Sequence, residues 1–383
     1  MSSISIRKVS SRKDLRKFVD FHYDLYRGNA YDAPPLFSDE MKTLSKDQNA
    51  AFEFCEAEYY LAYRDDVLVG RVAAIINHRA NEKWGRKSVR FGWIDFVDDL
   101  EVSGALLGAV EEYGRAHGMT EVVGPLGFTD FDPEGMLTWG FDELGTMATL
   151  YNYPYYPEHM ERLGGWEKDN DYVEFKIYVP DAIPEKMVKI SEMVMKRYNL
   201  HIRKLSKREV MKEGMGQKIF TVINDSFQDI YGYSNLSPKQ IDQYVDAYLP
   251  YADLNLIPVI EDWNTEEHKI VGVGISIPSL SRAMQKCRRG RLLPFGWWHV
   301  LRALKFHKTN IIDLEMVGVL PEYRNKGVNA LLFYDLIPWY QKYGIEWGES
   351  QVEMEENANV QSQWSYFRTE NHKRRRCYKK VIE

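Results

Sequence analysis

The stretch that decides the fold runs from Leu314 to Leu332 and reads Leu-Glu-Met-Val-Gly-Val-Leu-Pro-Glu-Tyr-Arg-Asn-Lys-Gly-Val-Asn-Ala-Leu-Leu. This order predicts an apolar strand, a proline-marked turn, and a glycine-bearing loop that opens a helix. The loop places successive backbone N–H groups at a helix N-terminus, beside the cationic side chains of Arg324 and Lys326. Free N–H groups and the positive end of the helix dipole attract anions. The stretch therefore predicts an anion site, and a diphosphate is its natural ligand.

The same strand, loop and helix resemble the acyl-CoA-binding motif of the GCN5-related N-acetyltransferase (GNAT) superfamily, in which Arg/Gln-x-x-Gly-x-Gly/Ala follows a strand. Arg324 and Gly327 match this pattern, whereas Asn329 stands where a second small residue is usual, with Ala330 next. The Asn329 side chain could crowd a diphosphate or donate a hydrogen bond to it. The alternative is an ordinary turn, in which Gly327 only relaxes the backbone.

The resemblance implies acetyl-CoA, or another acyl-CoA, as co-substrate, and no metal. The implied cofactor-binding residues are Val317, Val319, Arg324, Asn325, Lys326, Gly327, Val328, Asn329, Ala330 and Asn357. Asn357 precedes a predicted helix that runs to about Phe367. Two interpretations of Asn357 stay open, a contact with the pantetheine arm, which the resemblance implies, and a helix N-cap.

Composition limits the compartment and the partners. The 383 residues exceed one typical core and predict two domains. A net charge of −6 argues against a general nucleic-acid binder. Three widely separated cysteines indicate free thiols, not a disulfide or zinc framework. The first residues lack the apolar core of a signal peptide, and no window approaches the ~18–20 apolar residues of a spanning helix. We expect a soluble, cytoplasmic protein.

The chain repeats one pattern in its two halves. Residues 59–76 and 256–275 each predict a hairpin, with a glycine (Gly70 or Gly272) in the second strand. Each half continues with a strand, a helix and another strand, around His117-Gly118-Met119 or Tyr343-Gly344-Ile345. An insertion at about 279–310 accounts for the greater length of the second half. Two modules, 1–178 and 179–383, are therefore predicted.

The element order within each half resembles the GNAT fold, a mixed α/β sheet whose two central parallel strands splay apart to admit the cofactor. The whole chain resembles a bacterial family of two-module GNAT-like proteins that are provisionally described as acetyltransferases. The motifs that carry this resemblance are Asp32-Ala33-Pro34-Pro35-Leu36, Gly70-Arg71-Val72-Ala73-Ala74-Ile75, Tyr153-Pro154-Tyr155-Tyr156, Arg291-Leu292-Leu293-Pro294-Phe295-Gly296 and Gly318-Val319-Leu320-Pro321-Glu322-Tyr323-Arg324.

The two modules differ at the junction between strand and helix. The first module has Val97-Asp98-Asp99-Leu100-Glu101-Val102 where the second has its glycine loop. Three carboxylates at a helix start suit the dipole themselves but would repel a diphosphate. We expect Asp99 or its neighbour to cap the helix. Cofactor binding is therefore assigned to the second module only, and the first module lacks the diphosphate-binding loop.

Acyl transfer to an amine needs a base for the amine and a proton for the leaving thiolate. The candidate bases are Glu315, on the strand before the loop, and Glu349, on the neighbouring strand. The alternative for each is an exposed strand residue or an ion-pair member. The tyrosine that GNAT members often use as acid falls on Trp364, and Tyr366 lies roughly 200° further around a helix. The acid is left open.

The predicted function is direct N-acyl transfer from an acyl-CoA, by resemblance acetyl-CoA, to a small-molecule or peptide amine, with no nucleic-acid partner and no membrane span. A competing hypothesis is a non-catalytic protein that uses the GNAT scaffold for binding or assembly. Asn329, Trp364 and the acidic loop of the first module favour this alternative.

Two basic runs stand outside this interpretation. The first combines Lys286, Arg288, Arg289 and Arg291 with Leu292, Leu293, Pro294, Phe295, Trp297 and Trp298. It could lie on a membrane surface or bind an acidic substrate, but a partly buried insertion with solvated cations is favoured. The second run, His372 to Tyr378, could suggest RNA; a final strand with a solvated face is favoured.

Overall fold

The computed structural model describes residues 3–357, 361 and 363–382. The strands are β1 (Ile4–Lys8), β2 (Cys55–Arg64), β3 (Val67–Asn77), β4 (Ser88–Phe96), β5 (Glu121–Gly124), β6 (Met136–Trp139), β7 (Glu167–Tyr178), β8 (Leu200–Arg203), β9 (Val259–Asp262), β10 (Lys269–Pro278), β11 (Ile311–Val319), β12 (Trp347–Ser350), β13 (Glu353–Met354) and β14 (Thr369–Val381). The predicted mixed α/β class is confirmed.

The α-helices alternate with these strands. They are α1 (Arg12–Leu25), α2 (Phe37–Thr43), α3 (His78–Trp84), α4 (Leu100–Ala116), α5 (Tyr155–Leu163), α6 (Glu185–Tyr198), α7 (Lys207–Lys212), α8 (Met215–Ser226), α9 (Pro238–Tyr248), α10 (Ser281–Met284), α11 (Gly296–Phe306) and α12 (Val328–Tyr343). Short 3₁₀ turns lie at Ala50–Glu53, Leu254–Leu256, Arg288–Gly290, Pro321–Tyr323 and Gln363–Tyr366.

The chain forms two compact units whose segments interleave along the sequence. The first unit comprises Met1–Val173, Ser281–His299 and His372–Glu383, and the second comprises Glu174–Leu280 and Val300–Asn371. The predicted modules, 1–178 and 179–383, were defined by the repeated order of elements along the sequence. This division stays a prediction.

The first unit is built on the sheet order β1-β2-β3-β4-β5-β14. β4 and β5 run parallel, and the predicted β2–β3 hairpin forms. Both faces of β3 are covered, which explains its unbroken apolar sequence. Val72 and Ala74 belong to the core that includes Val102 and Leu106 of α4, and Ile75 belongs to a core with residues of α1.

The second unit repeats this arrangement with the order β8-β9-β10-β11-β12-β7. β11 and β12 run parallel, and the β9–β10 hairpin forms as predicted. Ile312 and Leu314 of β11 pack in one core with Phe333 and Ile337 of α12. The predicted tandem GNAT-like organisation is therefore seen in the strand order of both units.

The glycines of the repeated pattern have matching roles. A Cβ atom on Gly70 would lie 2.7 Å from Leu106 Cδ1, and one on Gly272 would lie 2.7 Å from Val328 Cγ1. Each glycine thus lets a helix approach the sheet closely, α4 in the first unit and α12 in the second. Gly118 and Gly344 follow the ends of these helices with φ of 72° and 70°, the left-handed conformation that favours glycine.

Each unit is closed by a strand from a distant part of the sequence. Residues 378–381 of β14 pair with β5 in the first unit. Residues 176–178 of β7 pair with β12 in the second unit. The last strand of the chain therefore completes the unit that contains its first residues.

The second basic run forms the predicted final strand, with Arg374 exposed and Arg376 partly exposed, but two of its cations are buried, which was not predicted. Lys373 and Arg375 are 0% and 2% exposed. Arg375 donates hydrogen bonds to the carbonyl oxygens of Leu150 (2.7 Å) and Thr149 (2.9 Å). These carbonyls replace water around the guanidinium, so the charge is tolerated inside the first unit.

The first basic run lies in the predicted insertion, between the end of β10 and the start of β11. Arg289 pairs with Asp24 at 2.7 Å, and Gln285 donates to the carbonyl of Ala30 at 2.9 Å. The expectation of a partly buried insertion is wrong for its apolar end, because Leu293 and Phe295 are 77% and 76% exposed.

Candidate active site

The site begins where β11 and β12 separate. Their parallel ladder runs from Ile311 opposite Trp347 to Leu314 opposite Ser350. β11 continues to Val319 paired with β10, while the described residues show no β11–β12 pairing beyond Leu314. From residue 315 onward, the described part of β11 is paired with β10 on one side and not with β12 on the other. This is the splay that the sequence predicted.

Glu315 lies at the point of separation. Ile275 of β10 pairs with Met316 and Ser276 pairs with Leu314, so Glu315 is an extra residue in β11, a β-bulge. Its carboxylate accepts a hydrogen bond from Gln351 Nε2 at 3.2 Å. Burial raises the pKa of Glu315 to about 7. A carboxyl group with this pKa can accept a proton near neutral pH.

Glu349 occupies a different environment within the paired part of β12. It lies opposite Asp313 of β11 and Lys176 of β7, one residue before the ladder between β11 and β12 ends. It is 2% exposed, so the alternative of an exposed strand residue is wrong for Glu349. Of the two predicted bases, Glu315 is the one at the opening between the strands.

The predicted anion loop forms the N-terminus of α12. Asn325 and Gly327 have φ of 64° and 83°, and Gly327 is the N-cap residue. A Cβ atom on Gly327 would lie 2.9 Å from Val194 Cγ2 of α6, so glycine is required by conformation and by space. None of the described residues accepts a hydrogen bond from the backbone N–H groups of Gly327, Val328 and Asn329.

The two cations of the loop are held differently. Arg324 donates to the carbonyl of Ser226 at 2.7 Å and pairs with Asp229 at 3.2 Å. Lys326 places its ammonium 4.3 Å from the ring centroid of Tyr323. The guanidinium of Arg324 thus already has protein partners, which leaves the backbone N–H groups and the ammonium of Lys326 as donors for an anion.

Three further residues predicted to bind the cofactor lie on β11 and at the start of α12. Val317 and Val319 lie on β11 beyond the separation, opposite Gly274 and Gly272 of β10. Ala330 is buried, and its N–H donates to the carbonyl of Gly327 at 3.0 Å, so this donor is already used.

Asn357 starts a turn after β13. Its N–H donates to the carbonyl of Met354 at 2.9 Å, and its own carbonyl accepts from the N–H of Gln361 at 3.2 Å. The predicted helix after Asn357 includes residues 358–360 and 362, which lie outside the described residues. The proposed pantetheine contact stays a prediction.

Two proteins match nearly all of the chain, although no model of a known protein family matches it. YghO of Escherichia coli K12 is 25% identical over 382 residues, which cover 98% of this chain and 95% of that protein. Bacterial ceramide synthase of Caulobacter vibrioides is 25% identical over 360 residues, which cover 90% of each.

Solved structures of low sequence identity share the arrangement of elements. A tandem GNAT protein from the clavulanic acid biosynthesis pathway superposes with a TM-score of 0.54 at 11% identity, covering 100% of this chain and 99% of that one. A GCN5-related N-acetyltransferase from Sphaerobacter thermophilus gives 0.52 at 12% identity, covering 99% and 96%. The fold is that of the GNAT superfamily.

Trp364 stands at the position where GNAT members often have a tyrosine, and its side chain forms a hydrogen bond inside the second unit. Trp364 is buried against Phe333, and its Nε1 donates to Glu353 Oε1 at 2.8 Å. Burial raises the pKa of Glu353 to about 7 despite this hydrogen bond. Sequence reasoning missed Glu353, although a buried indole N–H, which can only donate, indicates that an acceptor lies nearby.

Tyr366 does not replace the missing tyrosine at that position. Its half-buried ring packs against the core of the second unit, with the ammonium of Lys186 5.2 Å from the ring centroid. Glu315 and Glu353 are two carboxyl groups of the second unit whose pKa burial raises to about 7.

The corresponding junction of the first GNAT-like unit is occupied by its own side chains. Asp99 caps α4, as predicted, and accepts a hydrogen bond from the N–H of Glu101 at 3.0 Å. Arg64 bridges Asp99 at 2.6 Å and Glu101 at 2.8 Å. An anionic ligand would meet two carboxylates here, in contrast to the glycine cap of α12.

The first unit also contains a buried polar network that sequence reasoning missed. Asp95 of β4 accepts hydrogen bonds from Arg71 Nε (2.9 Å), Tyr156 (3.0 Å) and Tyr26 (3.2 Å), and its carboxylate lies 3.1 Å from His22 Nδ1. Burial opposes ionisation, but Arg71 and His22 hold the pKa of Asp95 at about 2. Burial also disfavours a charged His22, yet Asp32 and Asp95 raise its pKa to about 9.

Within the described ranges, no helix combines the length and the apolar character needed to cross a membrane. The same residues include no group of three or more His, Cys, Asp or Glu side chains arranged to hold a metal ion. The three cysteines are buried and unpaired.

Proposed function

We propose that the protein is an acyl-CoA-dependent N-acyltransferase whose reaction takes place in the second unit. One observation carries the proposal, the glycine-capped N-terminus of α12 next to the separation of β11 and β12. The N–H groups of Gly327, Val328 and Asn329 suit a diphosphate. The open edge of β11 beyond Glu315 suits the amide groups of the pantetheine arm, which can pair with a strand.

In the proposed reaction, an amine nitrogen bonds to the thioester carbonyl carbon and the carbon–sulfur bond breaks. Glu315 takes the proton that the amine loses, and the thiolate that leaves is protonated to give free CoA. A carboxylate with a pKa of about 7 is matched to this task at neutral pH. Glu353 is another carboxyl group of the unit whose pKa is raised to about 7.

We infer that the acyl chain is long and that the acceptor is a long-chain amine. The relative from Caulobacter vibrioides is named a ceramide synthase, and a ceramide is the amide of a fatty acid and a long-chain amino alcohol. A small apolar pocket of about 10 Å³, room for about one water molecule, lies on the second unit and does not itself accommodate a chain. It is lined by Ile177, Tyr178, Val179, Pro180, Leu314, Phe333, Ile337, Tyr340, Gly348 and Phe367. Leu314 and Gly348 bring it to the end of the β11–β12 ladder.

Release of free CoA thiol tests this function directly. Acetyl-CoA and palmitoyl-CoA should be compared, each with a long-chain 2-amino-1,3-diol and with a short amine. We expect the long pair to react fastest. Reaction of acetyl-CoA with the short amine alone would overturn the substrate class but leave the acyltransferase.

The Glu315→Gln variant separates catalysis from binding. It should lose turnover by about 100-fold or more while CoA affinity, measured by calorimetry, changes little. Glu349→Gln is the matched control, because Glu349 lies inside the paired part of β12. Equal rates for wild type and Glu315→Gln would exclude Glu315 as the base.

A non-catalytic scaffold is the second candidate. The indole of Trp364, which stands in place of a tyrosine and donates to Glu353, favours it. The scaffold would bind CoA but release no thiol with long-chain amines, polyamines, amino acids or peptides.

A further inference from the structure

The insertion between β10 and β11 carries an unusual distribution of charge. Residues 279–310 contain eight Lys and Arg residues and no Asp or Glu, although the whole chain has a net charge of −6. A strongly cationic segment in an acidic protein indicates attraction to an anionic partner.

An exposed apolar cluster lies within this segment. Leu293, Phe295, Trp297 and Trp298 are 77%, 76%, 47% and 44% exposed. We call residues 293–298 the apolar tip. Single exposed apolar side chains are ordinary, but four large ones within six residues indicate a contact surface.

The apolar tip is held in place by hydrogen bonds of the first unit. Trp297 donates its backbone N–H to the carbonyl of Leu292 at 2.8 Å and its indole N–H to the carbonyl of Pro294 at 3.0 Å. Cys287 Sγ donates to the carbonyl of Gly296 at 3.6 Å. Because the backbone is already ordered, binding costs little conformational entropy.

One cation of the insertion anchors the base of the apolar tip to α1. Arg291 pairs with Asp20 at 2.9 Å, and its guanidinium lies 3.7 Å from the ring centroid of Phe37. In contrast, Arg282, Lys286 and Arg288 are exposed, and none of the described residues forms an ion pair with them. Some cations thus hold the segment, and others face water beside it.

We propose that the apolar tip docks on the surface of a lipid bilayer that contains anionic lipids. Trp, Phe and Leu side chains enter the interfacial layer, where an indole keeps its N–H among the headgroups. Arg282, Lys286 and Arg288 contribute attraction to anionic headgroups. The combination of large apolar side chains with a segment free of acidic residues favours a lipid surface over a protein partner. This proposal does not depend on the acyltransferase function.

Vesicle flotation with the full chain tests the proposal. Vesicles of phosphatidylcholine alone are compared with vesicles that also contain phosphatidylglycerol, at low and high salt. We expect binding to the anionic vesicles, weakened by salt, and a blue shift of tryptophan emission. The L293S/F295S double variant should bind at least tenfold more weakly.

Matched controls keep the test specific. Val67→Ser and Val381→Ser remove exposed apolar side chains of the first unit, which are 64% and 75% exposed, and should leave vesicle binding unchanged. Replacement of Arg282, Lys286 and Arg288 by Gln should reduce the preference for anionic over neutral vesicles. Circular dichroism and thermal unfolding check that every variant folds.

Three results would overturn the proposal. The first is equal binding to neutral and anionic vesicles, and the second is binding that L293S/F295S leaves intact. The third is no vesicle binding by the wild type. In that case, a dimer that becomes monomeric in L293S/F295S would identify a second copy of the chain as the occupant of the tip.

Discussion

The junctions between strand and helix in the two units show opposite solutions to one electrostatic problem. A helix N-terminus presents unpaired N–H groups that require an acceptor. At α4, Asp99 accepts from the helix and Arg64 balances the carboxylates. At α12, the cap is Gly327, and none of the described residues accepts from its first N–H groups. The first junction supplies its own acceptor, whereas the second leaves its first N–H groups without one among the described residues.

The carboxylates beside these junctions differ in the same way. Asp95 has four partners and a pKa of about 2, whereas Glu315 has one hydrogen bond, from Gln351, and a pKa of about 7. A fully paired charge contributes to the structure, while an incompletely paired one can exchange a proton. The comparison teaches that two copies of one strand order can differ in how completely their carboxylates are paired.

The largest expected effect is on the buried network of the first unit. Asp95→Asn should lower the free energy of unfolding by about 3–5 kcal/mol, because it leaves the buried charge of Arg71 without its counter-ion. Urea unfolding at pH 7 measures this. Glu315→Gln, the matched change in the second unit, should not destabilise the protein. A loss below about 1 kcal/mol for Asp95→Asn would show that the network does not carry stability.

The next effect concerns the open junction. Asn329→Glu should weaken CoA binding about tenfold by placing a negative charge beside the proposed diphosphate. The same charge favours the helix dipole, so the fold should be retained. Calorimetry with CoA measures the change, and Asn329→Gln is the neutral control. Unchanged affinity in Asn329→Glu would remove the diphosphate from this loop.

A smaller effect is expected at the closed junction. Asp99→Ala removes the cap of α4 and should cost about 1 kcal/mol of stability. CoA affinity should stay the same, because the first unit is expected to bind no diphosphate. An affinity loss equal to that of Asn329→Glu would mean that both junctions contribute to one site.

The smallest effect is a pH dependence of stability. The pKa of Glu315 is raised from the ordinary 4.5 to about 7 in the folded protein. Between pH 4.5 and about 7, Glu315 is deprotonated in the unfolded chain but still protonated in the folded protein. The stability of the wild type therefore falls as the pH rises through this range and stays constant above about 7. The stability of the Glu315→Gln variant should not show this decrease with pH. We expect a difference below about 1 kcal/mol, because the side chain is only half-buried; identical pH profiles would argue against the raised pKa.

Features that depend on residues close together in the sequence could be predicted from it. The glycine loop, the two hairpins and the Asp99 cap depend on neighbouring residues, and all three form. The Asp95 network joins residues from α1, β3, β4 and α5, so no spacing in the sequence reveals it. The burial of Lys373 and Arg375 was not predicted, because their partners are the carbonyl groups of Leu144, Thr149 and Leu150, which carry no sequence signal.

The interleaved strands have a consequence for synthesis on the ribosome. Domains generally fold from the N-terminus while translation continues. Here β5 has no partner on one side until residues 378–381 of β14 have been made. For most of translation, the nascent first unit therefore presents an open sheet edge, which favours aggregation unless it is shielded. The first unit can therefore reach its final sheet only after these late residues have been made.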